Sequence, residues 1–172
     1  MSASFDPLTA LRALVAHDVA FLLVGGLAGR AWGSPTVTND LDVCYARTDE
    51  NLERLAAALQ GLGARLRGVD DDVPFLLDAL TIRRGMNVTF TTSAGALDVL
   101  GAPAGTDGYD DLAQQARRLR LADGLDVLVV SLDDLIRMKR AAARRKDLIE
   151  VEVLEALREE RARIEPSSEE AP

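Results

Sequence analysis

The sequence holds one histidine, His17, and one cysteine, Cys44, and each scarcity removes a class of chemistry. A single cysteine cannot close an internal disulfide, and no apolar segment follows a basic cluster at the N-terminus, whose first charged residue is Asp6. The expected setting is a reducing cytoplasm. One histidine excludes a histidine-rich metal site and leaves a Ser-His-Asp triad only if His17 is its base; its place near a predicted helix end suits a surface or capping role better. Long apolar runs are also absent, the longest candidate being the short stretch 19–29, far below the roughly 20 residues that span a bilayer. Basic residues are outnumbered, 20 against 28 acidic, for a net charge of -8. The overall field therefore repels polyanions, so non-specific nucleic-acid binding is not expected and any RNA contact must use a local basic patch.

What is present is enough for a folded core. With 172 residues, 48% hydrophobic and 28% charged, the chain is long enough for one sizeable core and too short for two ordinary domains. The expectation is one domain over residues 1–164, helical at its C-terminal end from about 131, followed by a disordered tail, 165–172, with almost nothing to bury. Asp6-Pro7 opens a predicted helix whose Leu8, Leu11, Leu14 and Val15 share one stripe. Residues 19–24 read as a buried strand that enters a tight turn at Gly25-Gly26, followed by a helix over 27–32. Residues 40–45 look like a second strand, 50–60 a helix, and 75–84 a short helix after the loop of Asp70-Asp71-Asp72 and Pro74. Two hairpins are expected, one from 86–91 and 96–100, the other joining 118–121 to 125–130 across Asp123-Gly124. Ser131, with Asp134 three positions on, caps a helix to about residue 143, and a last helix covers 146–163.

The chemistry concentrates in Thr38-Asn39-Asp40-Leu41-Asp42 and an isolated Asp98 on a later predicted strand. Residues two apart on a strand share a face, so Asp40 and Asp42 present paired carboxylates flanked by Leu41 and Val43 on the buried side. Such a pair repels itself unless a cation fills the gap, and Mg2+ takes hard carboxylate oxygens together with substrate phosphates. Asp98 would complete a two-metal arrangement or act as general base. Gly25-Gly26, directly after a strand, allows close backbone approach to phosphate at the start of a helix, with plain turn geometry as the alternative.

Gly-Gly, a helix, then Asp-x-Asp on the next strand resembles the polymerase-beta-like nucleotidyltransferase signature. Residues 24–35 and 38–43 are similar to the minimal nucleotidyltransferases grouped with the AbiEii toxins of bacterial toxin-antitoxin systems, as are residues 131–139 and 145–148. The resemblance spans about 19–157, with only the Gly-Gly and Asp-x-Asp parts specific. It implies an α/β (α+β) fold with a mixed β-sheet flanked by helices and a helical C-terminal end. It also implies transfer of NMP from an NTP to an acceptor hydroxyl on a tRNA end, a protein or, as in antibiotic-modifying relatives of the superfamily, a small molecule, with Mg2+ or Mn2+ required and an antitoxin protein as a candidate partner. By the same resemblance Asp40, Asp42 and Asp98 are catalytic and metal-binding; Gly25, Gly26, Thr38 and Lys139 bind nucleotide; Asn39 and Asp147 stand beside them. The family often has an arginine after the loop proline, where this chain has Thr36 after Pro35, and Arg30 is the candidate substitute.

Several residues have plainer readings. Lys139, Arg140, Arg144, Arg145 and Lys146 form the one dense basic cluster, suited to docking an NTP or RNA end and equally to neutralising neighbouring acids such as Asp147. Cys44 reads as a small buried hydrophobe, Trp32 as core packing, and the Asp70–Asp72 run as solvated. A non-catalytic nucleotide- or partner-binding module on the same fold is the alternative function. A DNA-binding regulator is set aside for want of a helix-turn-helix.

Overall fold

The computed structural model describes residues 4–165. The first helix, α1 (Pro7–Ala16), starts where Asp6 caps it, its carboxylate accepting from the Thr9 amide at 3.1 Å and the Thr9 hydroxyl at 2.6 Å, and it buries Ala10, Leu11 and Leu14. Strand β1 (Phe21–Val24) is buried on both faces, as its unbroken apolar run requires. Helix α2 (Gly25–Trp32) follows with no intervening loop, where a turn and a later helix start were expected. Gly25 makes this possible, because at φ +66° it turns strand into helix in one residue.

Strand β2 (Asp40–Tyr45) keeps Leu41 and Val43 buried and leaves Asp40 and Asp42 half-buried on the opposite face. Helix α3 (Asp49–Gly61) is capped by Thr48 and buries Asn51, whose amide links the start of β1 to the end of β2. Asn51 accepts from the Ala20 amide at 2.7 Å and donates to the carbonyls of Ala20 and Ala46 at 3.0 and 2.7 Å. A two-residue strand, β3 (Arg65–Leu66), was not expected. Helix α4 (Ala79–Gly85) begins later than the predicted residue 75, because Asp78, accepting from the Thr81 amide at 2.8 Å, sets its start.

The hairpin of β4 (Asn87–Thr92) and β5 (Gly95–Leu100) has the expected alternation: Phe90 is buried, whereas Asn87, Thr89 and Thr91 are exposed. A short helix, α5 (Tyr109–Ala113), also unforeseen, precedes the second hairpin, β6 (Arg117–Ala122) and β7 (Leu125–Val129). Helix α6 (Leu132–Ala142) is capped by Ser131, whose hydroxyl accepts from the Asp134 amide at 3.1 Å, and α7 (Arg145–Ile164) closes the fold. Beyond Glu165 the expected tail lies outside the described residues.

The strands form one mixed sheet in the order β3-β4-β5-β2-β1-β7-β6. At its centre β2 runs antiparallel to β1 and parallel to β5, and β1 runs parallel to β7. Helix α2 packs on β1, β2 and α6, and α6 packs on α7. The buried apolar side chains, Cys44 included, form one continuous cluster. This is the expected α/β fold with a mixed sheet, flanking helices and a helical C-terminal end.

Candidate active site

The parallel register of β2 and β5 sets Asp42 directly beside Asp98, with Asp40 one pleat repeat away on the same face. One carboxylate oxygen from each of the three lies within 4.8 Å of the others, and all three side chains are half-buried. The charge is poorly compensated. Burial pushes the Asp42 carboxyl up to about 7, and the negative charges of Asp40 and Asp98 push in the same direction, against a weaker opposing pull from Lys139 and Arg67. Burial also raises Asp98 above the usual carboxylate range despite the guanidinium of Arg67 beside it. Among the described residues no cation forms an ion pair with Asp40 or Asp42.

The glycine pair packs closely against Asp42 and Thr38. A Cβ on Gly25 would fall 2.7 Å from Cγ of Asp42, and one on Gly26 would sit 2.8 Å from Cβ of Thr38. Both glycines stand in the first turn of α2, whose N-terminus no side chain caps, so the free amides and the positive end of the helix dipole open beside the carboxylates. Thr38 donates its hydroxyl to Oδ1 of Asp40 at 2.9 Å and fixes that carboxylate's orientation.

On the facing side, the junction of α6 and α7 holds a fully buried carboxylate. Asp147 accepts from Nε of Arg144 at 2.6 Å and from Nζ of Lys139 at 3.4 Å. Burial pushes its carboxyl up, but the hydrogen bond from Arg144 and the charges of Lys139 and Arg144 outweigh that and hold it below the usual range. Lys139 thus reaches the site while tethered to Asp147. A cavity of about 420 Å³ lies between the three carboxylates, Gly26 and α7, and a second, more apolar one of about 200 Å³ lies between the end of β5 and α6. Asp42, Lys139 and Arg144 border both.

The structure therefore brings Gly25, Gly26, Thr38, Asp40, Asp42, Asp98, Lys139 and Asp147 together. It does not bring Arg30, which is exposed, donates to the Thr36 carbonyl at 3.2 Å and borders neither cavity. Asn39 is exposed beside Asp40. His17 caps α1, its Nδ1 lying 2.9 Å from the Ala13 carbonyl oxygen. Burial pushes the Cys44 thiol up to about 12 and leaves it inert, while Trp32 donates its indole N–H to the Val130 carbonyl at 2.8 Å.

Two site residues escaped the sequence. Glu150, buried, borders the larger cavity and accepts from the Ser34 hydroxyl at 3.3 Å. Its spacing of three from Asp147 on one helix was the available signal. Arg67, just past β3, ion-pairs with Asp98 at 2.7 Å, and no local pattern marks it.

The mixed sheet with its flanking helices is a nucleotidyltransferase-like fold. Lincosamide antibiotic adenylyltransferase LnuA in its lincomycin-bound form superposes with a TM-score of 0.59 at 11% identity, over 88% of this chain and 95% of that one. The antibiotic-resistance factor ANT(2'')-Ia gives 0.50 at 20% identity, over 92% of each chain. The Thermotoga maritima protein TM1012, assigned as a nucleotidyltransferase, gives 0.50 at 17% identity, over 94% and 97%. No protein-family model matches the sequence, and no curated protein is detectably similar to it. At these identities the likeness concerns the fold. No described helix is long and apolar enough to cross a membrane.

Proposed function

We propose that this chain is a divalent-metal-dependent nucleotidyltransferase that passes an NMP group from an NTP to an acceptor hydroxyl. The observation that carries the reading is the convergence of three half-buried carboxylates, two of them held above their ordinary pKa, beside an uncapped helix start. A set of hard oxygen donors with uncompensated charge suits Mg2+ or Mn2+. Bound there, such an ion would neutralise the cluster and stabilise charge on the phosphates. Asp40, Asp42 and Asp98 would hold it, with Thr38 keeping Asp40 in place. The triphosphate lies along the amides of Gly25 and Gly26, with Lys139 as a further point charge. Asp98 accepts the proton of the acceptor hydroxyl as its oxygen attacks the α-phosphorus in line, and the bond to the pyrophosphate leaving group breaks.

The family resemblance favours a tRNA end or a protein as acceptor and a toxin paired with an antitoxin protein as the biological role. A small-molecule acceptor is the second reading, favoured by two solved neighbours named for antibiotic modification or resistance. A binding module without catalysis would have no use for all three carboxylates. The test is incubation with each α-labelled NTP, Mg2+ or Mn2+, total cellular RNA, protein and metabolites, beside Asp40→Ala and Asp42→Ala. Label entering one acceptor class only when both carboxylates are intact supports the reading and selects the acceptor. Nucleotide binding without transfer to any class sinks it in favour of the module.

A further inference from the structure

We propose that Arg67 is a positioning residue for Asp98, holding one of its carboxylate oxygens so that the other is presented to Asp40 and Asp42. The inference rests on the reading of the three carboxylates as a nucleotidyl-transfer site, and concerns how one of them is aimed.

The sheet register makes the contact. Arg67 donates its backbone N–H to the Thr89 carbonyl at 3.0 Å, Thr89 lies directly opposite Asp98, and Asp98 directly opposite Asp42. Residues directly opposite one another share a face, so Thr89, Asp98 and Asp42 form one row across β4, β5 and β2, and the backbone bond from Arg67 sets that residue at the β4 end of the row. From the end of β3 the arginine side chain reaches Oδ1 of Asp98 at 2.7 Å. The same Nη2 donates to the Phe90 carbonyl at 2.9 Å, which ties the guanidinium to the backbone of β4.

Two further observations separate this contact from an ordinary surface ion pair. The side chains of Arg67 and Asp98 are 35% and 16% exposed, against 68% and 86% in the neighbouring Arg65–Asp71 pair. Moreover, Nε of Arg67 is buried with no partner in the protein, a desolvation cost tolerated in a site that places the other end of the group on Asp98. Among the described residues Arg67 is the one cation paired with Asp98, while Lys139 on the opposite side is tied to Asp147. An Asp98 released from Arg67 would be free to rotate about its side-chain bonds, and a misplacement of about 1 Å in a reacting group costs on the order of 100-fold in rate.

The experiment is a double-mutant cycle on the full chain with Arg67→Gln, Asp98→Asn and the pair. It is read by kcat and KM for NTP and, separately, by calorimetric Mn2+ affinity in the presence of NTP. Arg67→Gln is expected to lower kcat about 10- to 100-fold with KM for NTP nearly unchanged, to shift Mn2+ affinity, and to do neither once Asp98 is asparagine. Arg67→Lys, which retains the charge, is expected to recover part of the loss and serves in place of Arg67→Gln if that variant does not fold. Equal losses with and without the Asp98 carboxylate, or an unchanged kcat, would overturn the proposal. If the native protein transfers no nucleotide at all, the transfer reading fails and the Mn2+ cycle alone decides: coupling between positions 67 and 98 supports the positioning role, and additivity refutes it.

Discussion

Asp42 stores the conflict on which the site depends. Its carboxyl is raised from 3.8 to about 7 first by burial and then by Asp40 and Asp98, so the folded chain without metal binds its proton more tightly than the unfolded chain does. The sign follows. The Asp42 contribution to metal-free stability is fully present below pH 4 and is lost as pH rises from there to about 7, whereas divalent binding, which needs the ionised form, strengthens over the same window. Asp42→Asn removes the proton linkage and the repulsion together. We expect it to abolish divalent binding at this site while raising metal-free stability near pH 8 by about 1–3 kcal/mol. Thermal melts of both proteins between pH 4 and 8 check this, because carboxylates titrating elsewhere cancel in the difference. A variant less stable than the native chain at pH 8 would contradict it.

Gly25 makes the opposite case, since here the site requires an absence. A side chain at this position would meet the Asp42 carboxylate and strain a backbone at φ +66°. Gly25→Ala should destabilise the fold by about 1–3 kcal/mol and lower divalent affinity together, read by denaturant unfolding and calorimetry. The sequence marked the glycines and the phosphate logic. It did not show that Gly25 and Gly26 are the space into which Asp42 and Thr38 fit, because that contact joins residues distant along the chain.

At the scale of elements, strand alternation made Asp40 and Asp42 legible, and β2 has the bounds that the alternation implies. Strong capping residues likewise marked the starts of α1 and α6. Elements too short to show a period were not legible: β3 has two residues and α5 five, and with β3 went Arg67. The α6–α7 junction depends on a buried charge balance, with Asp147 held between Arg144 and Lys139. Asp147→Ala should cost about 1–3 kcal/mol in stability, because it removes the nearest counter-charge of a part-buried lysine. Asp147→Asn should cost less. Chemical denaturation of the pair orders them, and the reverse order would refute this account of the junction.

Across the whole molecule, the central β1-β2-β5 strands and α2 carry the acids and the helix start, while α6 and α7 bring cations from the other side. On the proposed reading this arrangement would let an acidic chain hold a polyanionic substrate, because attraction is local where the net charge of -8 repels. Asn51 joins β1 to β2 far from the carboxylates, through three hydrogen bonds of its buried amide. Asn51→Leu should therefore lower stability by about 2–4 kcal/mol, with Mn2+ affinity unchanged in the fraction that remains folded.

The central claim is that Asp40, Asp42 and Asp98 together form a divalent-metal site for an NTP. Anomalous diffraction from crystals grown with Mn2+ and a non-hydrolysable NTP analogue tests it most directly. The expected result is manganese density coordinated by oxygens of Asp40 and Asp42, with Asp98 adjoining and the triphosphate against the start of α2. Manganese absent from the three carboxylates while the analogue is bound elsewhere on the chain would contradict the account.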